Sequence, residues 1–123
     1  MSQPMVIEIE HQDDVCILRI TGRFVSGEDP KLLCAKKDEI NSRNCKRLLV
    51  DLREVPFMGS TGIGFLVGLY TSITKNPNGR FVLVGPQPHV REVLDLTRLS
   101  TILPMAADFP SGLAVLRGQL ANA

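Results

Sequence analysis

Residues 48–70, LLVDLREVPFMGSTGIGFLVGLY, carry the pattern that most narrows what this chain can fold into. Leu48-Leu49-Val50-Asp51-Leu52 is a near-continuous apolar run of strand length, and a run without polar alternation suits a strand covered on both faces. A small-residue turn follows, and from Ser60 to about Thr74 the spacing becomes helical until Asn76-Pro77-Asn78-Gly79, which cannot continue a helix. A buried strand delivered straight into a helix is the basic unit of an α/β domain.

The flanking sequence extends the same theme. Residues 5–10 and 14–21 read as two short strands separated by the polar hairpin turn His11-Gln12-Asp13-Asp14. In the second, Cys16, Leu18 and Ile20 share one face and Ile17, Arg19 and Thr21 the other, as expected of a strand near a sheet edge. After a break at Gly22–Gly27, Asp29-Pro30 supplies a cap and a first-turn proline for a half-exposed helix to about Asn41. Phe81-Val82-Leu83-Val84 is a second buried-type strand, and Pro88 to about Asp95 a short helix with Val90, Val93 and Leu94 inward. Ile102-Leu103 is a weak strand candidate, and Ser111 is a candidate cap for a last helix carrying Leu113, Leu116 and Leu120. The order ββ-α-β-α-β-α-β-α predicts a mixed, mainly parallel sheet of about five strands with about four helices and right-handed crossovers.

A length of 123 residues suits one domain, taken here as residues 1–123. The formal charge of +1 argues against a nucleic-acid binder. The amino terminus lacks a basic and apolar leader, and no run of about 18 apolar residues marks a membrane span; a cytoplasmic chain without membrane insertion is the expectation. The three cysteines, Cys16, Cys34 and Cys45, are odd in number and widely spaced. With no Cys-x-x-Cys pair and only His11 and His89 as imidazoles, they read as core or surface thiols, and neither a metal nor a cofactor is expected.

The turn at Gly59-Ser60-Thr61-Gly62 puts two hydroxyls at a helix amino terminus, where unpaired N–H groups favour a capping oxygen or a phosphate. Phosphate-loop and dinucleotide glycine motifs are absent, no lysine lies in the turn, and the spacing is not that of a nucleophile elbow. A serine triad would have to recruit His11 or His89, and His89 reads as an exposed helix-start residue. On the helix, Ile63, Leu66, Val67, Tyr70 and Ile73 share one face, while Phe65, Leu69 and Ser72 project the other way. That second apolar side is either covered by another element or kept for a partner. Gly59, Gly62, Gly64 and Gly68 permit close packing, leave Ser60 accessible, or do both. Ser60 itself is either a cap bonded to the N–H of residue 62 or 63 or a group modified from outside.

The run Asp51-Leu52 through Val55-x-Phe57-Met58-x-Ser60-Thr61-Gly62-Ile63-Gly64 resembles the signature of the STAS domain, in particular of bacterial anti-sigma factor antagonists. Leu18-x-Ile20-Thr21-Gly22, Phe81-Val82-Leu83-Val84-Gly85, Val90-x-x-Val93-Leu94-x-Leu96-Thr97-x-Leu99 and Asp108-x-x-x-Gly112-Leu113-Ala114 extend the resemblance over most of the chain. It implies a binding protein without catalysis of its own. Its partners would be an anti-sigma factor that is a serine kinase of the histidine-kinase-like ATPase type, and a serine phosphatase. The phosphoacceptor would be Ser60, and partner binding would fall on Gly59, Ser60, Thr61, Gly62, Gly64, Phe65 and Leu69. Where the family usually has aspartate before the serine, this chain has Gly59. That departure motivates the alternative of a STAS scaffold without a phosphorylation cycle, a subunit of a signalling or lipid-transport assembly.

Overall fold

The computed structural model describes residues 6–12, 15–22, 30–42, 45–75 and 77–117, with the side chains of 30–34 and 41 left aside. Two strands, β1 (Val6–Gln12) and β2 (Val15–Thr21), are followed by helix α1 (Pro30–Ser42), strand β3 (Arg47–Glu54) and helix α2 (Ser60–Thr74). Strand β4 (Arg80–Val84), helix α3 (Pro88–Leu96), a 3₁₀ turn (Leu99–Thr101), strand β5 (Met105–Ala106) and helix α4 (Phe109–Leu116) complete the order. The five strands form one sheet in the order β1-β2-β3-β4-β5. β1 and β2 are antiparallel, and every other pairing is parallel, which gives the mixed, mainly parallel α/β sheet that the alternation predicts.

Period two sorts the buried residues of the strands between two cores. Cys16, Leu18, Ile20, Leu48, Val50, Leu52, Phe81 and Leu83 face a large cluster completed by Ile40 of α1, α2, and Val90 and Leu94 of α3. Val15, Ile17, Leu49, Val82 and Val84 face a smaller cluster closed by Leu116 of α4. β3 is therefore covered on both sides, as its unbroken apolar run requires. α4 sits so close to the sheet that a Cβ on Gly112 would lie 2.5 Å from Val84 Cγ2 and 3.2 Å from Leu49 Cδ1.

One charge interrupts this run. Asp51 is only 2% exposed, yet its carboxylate accepts bonds from Arg53 N (3.1 Å), Arg53 Nε (3.0 Å), Arg53 Nη2 (2.9 Å) and Arg19 Nε (3.4 Å). Burial pushes its carboxyl up, but the hydrogen bonds and charge of Arg53, helped by Arg19, outweigh this and hold it below the ordinary aspartate value. Arg19 also reaches Glu10 of β1 at 2.6 Å, so a line of charges stitches β1, β2 and β3 together beyond the edge of the smaller core.

Four expectations change. β2 is an interior strand, because β1 pairs antiparallel with its outer edge as β3 pairs with its inner one, which leaves β1 at the edge. The last strand is Met105–Ala106, paired with Leu83 and Val84; the chain turns through the 3₁₀ segment first, so Ile102 is exposed and Leu103 fills the core. The cap of α4 is Asp108, whose carboxylate accepts from Ser111 N at 2.9 Å, which makes Ser111 the donor of the capping bond. Cys16 and Cys45 are not separate thiols: they form a disulfide with Cα atoms 5.9 Å apart. Parallel pairing of β2 with β3, which sets Cys16 opposite Leu48, brings together residues whose spacing in sequence gave no hint of it. The Asp29 cap, Leu120 and the glycine-bounded break beyond Gly22 lie outside the described residues.

Two measurements check this packing. Gly112→Ala should lower the stability measured by urea unfolding by ~1–3 kcal/mol, because the new methyl displaces Val84 or Leu49. Asp51→Ala should cost ~2 kcal/mol by loss of charge-assisted bonds, since Arg19 and Arg53 can return to water. Because the folded-state pKa of Asp51 lies below its unfolded value, its contribution is complete above about pH 5 and is lost as pH falls through the folded pKa. The gap between the wild type and Asp51→Ala should therefore close in acid.

Candidate functional site

Between β3 and α2 the chain crosses the carboxyl end of the sheet under several restraints. Val55 is fully buried and its N–H donates to Leu52 O at 3.0 Å, which turns the chain out of the strand. Met58 is buried at 1% exposure and anchors the far side of the crossing. Between them Pro56 is exposed, and half-buried Phe57 stacks on the ring of His89, with centroids 4.6 Å apart and planes 17° from parallel. Gln87 Nε2 donates to Arg53 O at 2.8 Å and Gly22 N to Glu54 O at 3.0 Å, tying the β4–α3 connection and the end of β2 to the same corner.

These anchors set where α2 begins. Its cap is Gly59, with φ −98° and ψ −170°, and Ile63 N donates to Gly59 O at 3.1 Å. Ser60 is the first helical residue and is exposed. The capping alternative for Ser60 is thus displaced by one residue, because the extended backbone that a cap requires falls on Gly59. Gly59 brings no side chain to the first turn, so the amino end of α2 carries its partial positive charge with no carboxylate beside it in the first turn.

The orientation of α2 differs from the expected one by about one residue. Gly62, Phe65, Leu66, Leu69 and Ile73 are buried, whereas Ile63, Val67 and Tyr70 are half-exposed. Phe65 (8% exposed) and Leu69 (0%) lie in the large core, so of the two uses open to that apolar side, cover by the fold itself is the one found, and the partner contact expected at Phe65 and Leu69 is corrected to core packing. The outward face consists of Ser60 and Gly64, both exposed, with Ile63, Val67 and Gly68 partly exposed and Thr71 exposed at its far end. Of the residues named from sequence, Gly59, Ser60, Thr61 and Gly64 remain accessible. Ile63 and Val67, expected to face the sheet, join the outward face instead, and Phe57 and His89 meet beside the turn. His89 is exposed at the second position of α3, as a helix-start residue should be, but its stacking on Phe57 had no signal in the spacing.

The side chains of the outward face are uncharged. A Cβ added at Gly64 would meet no atom within 4 Å, so the bare backbone there is open to the outside. At Gly68 the same atom would come 3.4 Å from Lys37 Nζ, which marks where α1 begins to cover the helix. The arrangement therefore offers a hydroxyl at a helix amino terminus beside a strip of small and β-branched residues. It suits contact with another protein and modification of the hydroxyl better than enclosure of a small molecule.

The STAS domain family profile matches residues 6–111. The chain is 28% identical over 99 residues to the anti-sigma F factor antagonist of Paenibacillus polymyxa, across 80% of this chain and 84% of that protein. An anti-sigma factor antagonist structure from Mycobacterium paratuberculosis aligns with a TM-score of 0.83 at 24% identity, over 95% of this chain and 99% of that one. The Bacillus cell fate determinant SpoIIAA in its phosphorylated form aligns with a TM-score of 0.64 at 18% identity, over 86% and 96% of the two chains. At these identities the likeness to the solved structures is one of fold.

Gly59→Asp tests the account of the turn. Because φ and ψ at Gly59 are open to any residue, aspartate should fit, accept from the N–H of Thr61 or Gly62 and offset the helix dipole. Urea unfolding should show a gain of ~0.5–1 kcal/mol; no gain would mean that the end of α2 is already satisfied.

Proposed function

Since the chain belongs to the STAS domain family, we propose that it works as an anti-sigma factor antagonist whose binding face is the outward side of α2, switched by phosphorylation of Ser60. The observation that carries this reading is the exposure of Ser60 at the first position of α2, on the same face as the open backbone of Gly64. In its unmodified form the strip docks an anti-sigma factor, which is itself the serine kinase, of histidine-kinase-like ATPase type. A serine phosphatase restores the hydroxyl. The protein supplies the switch and no catalysis, and it works in the cytoplasm without entering a membrane; among the described residues no helix is long and apolar enough to cross one. The phosphorylated Bacillus protein of the same fold supports the reading.

The switch is electrostatic and local. A phosphate adds about −1.5 to −2 charges and three acceptor oxygens to a neutral strip. The N–H groups and dipole of α2 hold such a group favourably, so phosphorylation leaves the fold intact. A partner surface shaped for a hydroxyl must instead bury or repel the charge, at a cost of several kcal/mol. Fold and affinity thus respond in opposite directions to the same group.

Gly59 favours a second reading. Without the family's usual acid beside the serine, the strip would serve as a permanent docking block of a signalling or lipid-transport assembly. Capture from the host proteome with wild type and Ser60→Asp side by side separates the two. The switch predicts recovery of an ATPase-type kinase by wild type and a loss of ~30-fold or more in its affinity for Ser60→Asp, equivalent to ~2 kcal/mol, at unchanged or raised melting temperature. Equal binding of that kinase by both proteins, or recovery of a transporter subunit by both, would favour the docking block.

Gly64→Ala provides an independent check. Alanine should raise helix stability by ~0.5–1 kcal/mol, since its methyl meets nothing in the free protein. Partner affinity should nevertheless fall, and a stabilised variant with undiminished affinity would remove Gly64 from the interface.

A further inference from the structure

The disulfide between Cys16 and Cys45 lies at the amino end of the parallel strands, the pole opposite Ser60: Cys45 leads into β3, whereas Ser60 follows its carboxyl end. A third group stands with it. His11 of β1 is the register partner of Cys16, and its Nδ1 and Nε2 lie 3.6 Å and 3.9 Å from Cys16 Sγ. The donor atoms of His11, Cys16 and Cys45 all lie within 4.8 Å of one another. Cys16 is buried, Cys45 half-buried and His11 exposed, so the group is rooted in the sheet and opens to solvent on the β1 side.

Two thiolates and one imidazole are the donors that zinc-class cations prefer. In a tetrahedral centre with metal–sulfur and metal–nitrogen bonds of ~2.3 Å and ~2.0 Å, an imidazole nitrogen and a sulfur stand ~3.6 Å apart and two sulfurs ~3.8 Å. The His11–Cys16 separation already has this value. The sulfur pair reaches it only when the S–S bond is broken and the Cys45 side chain, outside the strand, turns outward. Neighbouring strands supply two ligands and the segment entering β3 the third, which is why no close ligand spacing shows in the sequence.

We propose that the reduced pair Cys16 and Cys45, together with His11, is a three-ligand site for a soft divalent cation of the zinc class, and that oxidation to the disulfide closes it. A dithiol reductant supplies two electrons and is itself converted to a disulfide; the S–S bond breaks and each sulfur takes up a proton. On binding, the cation displaces those two protons, and water fills the fourth position. Oxidation by a disulfide of low-molecular-weight thiol reverses the sequence: the cation leaves, the two thiolates give up two electrons as the S–S bond re-forms, and the oxidant takes those electrons and two protons from water to become two thiols. Metal occupancy and the cross-link between β2 and the entry to β3 are mutually exclusive, so the loop that carries α1 is held by one or the other.

The test uses the full chain, reduced with a phosphine, stripped with a chelator and titrated with cobalt(II). One cobalt per chain should bind with the near-ultraviolet band of thiolate-to-cobalt charge transfer and the visible bands of tetrahedral cobalt, and zinc should displace it one for one. The oxidised chain should bind none. Loss of even an outer-shell partner costs ~10-fold or more in metal affinity, so His11→Gln, which removes a ligand, should weaken binding by at least that factor while leaving the melting temperature of the metal-free protein unchanged. Cys34→Ser should leave binding intact. Absence of saturable cobalt uptake by the reduced chain, equal affinity in His11→Gln, or uptake by the disulfide form would each overturn the proposal.

Discussion

Burial of β3 on both faces is the constraint on which the rest of the structure depends. A strand with Leu48, Val50 and Leu52 in one core and Leu49 in the other can release its chain only at its ends. Each end is consequently crowded with restraints. At the carboxyl end, Asp51, on the Leu49 side of the strand, clamps Arg53 and Arg19, and Val55 and Met58 pin the crossing to α2. Those pins leave only Gly59 and Ser60 to change direction, which is how a serine becomes exposed at the first position of a helix whose remaining surface is largely apolar. At the amino end the same pairing that buries β3 draws Cys45 against Cys16.

Much of this was legible in the residues, and the failures share a physical cause. Element order and sheet class followed from the alternation of buried strands and helices, because both periods are written locally in the sequence. The rotation of α2 was not legible. Ile63 and Val67 are as apolar as Phe65 and Leu69, so a helix apolar on both sides fits either face, and tertiary packing chooses. The choice went to the side that carries Gly62, Phe65, Leu66, Leu69 and Ile73, which the fold buries. Once that is fixed, the candidate binding face follows, made of the open glycine and β-branched residues rather than the larger ones.

Contacts between distant segments account for the other differences, apart from the α4 cap, where Asp108 and Ser111 exchange roles within three residues. The Cys16–Cys45 bridge joins residues 29 apart through parallel pairing, and His11 enters through the hairpin register. Stacking of Phe57 on His89 couples the β3–α2 crossing to the start of α3 in the same non-local way. The short strand Met105–Ala106 has too little length to print a period, and only its pairing with β4 defines it. The Ser60 turn was readable because its signal, small residues followed by helical spacing, is confined to a few neighbouring positions.

The central claim is that Ser60 is the point at which affinity for another protein is switched. Phosphopeptide mass spectrometry of the protein taken from its host, with partner-bound and free fractions separated first, addresses it most directly. The account predicts phosphate on Ser60 in the free fraction and an unmodified Ser60 in the bound fraction. Phosphate on Ser60 in the bound fraction, or none in either fraction at any stage of growth, would contradict it.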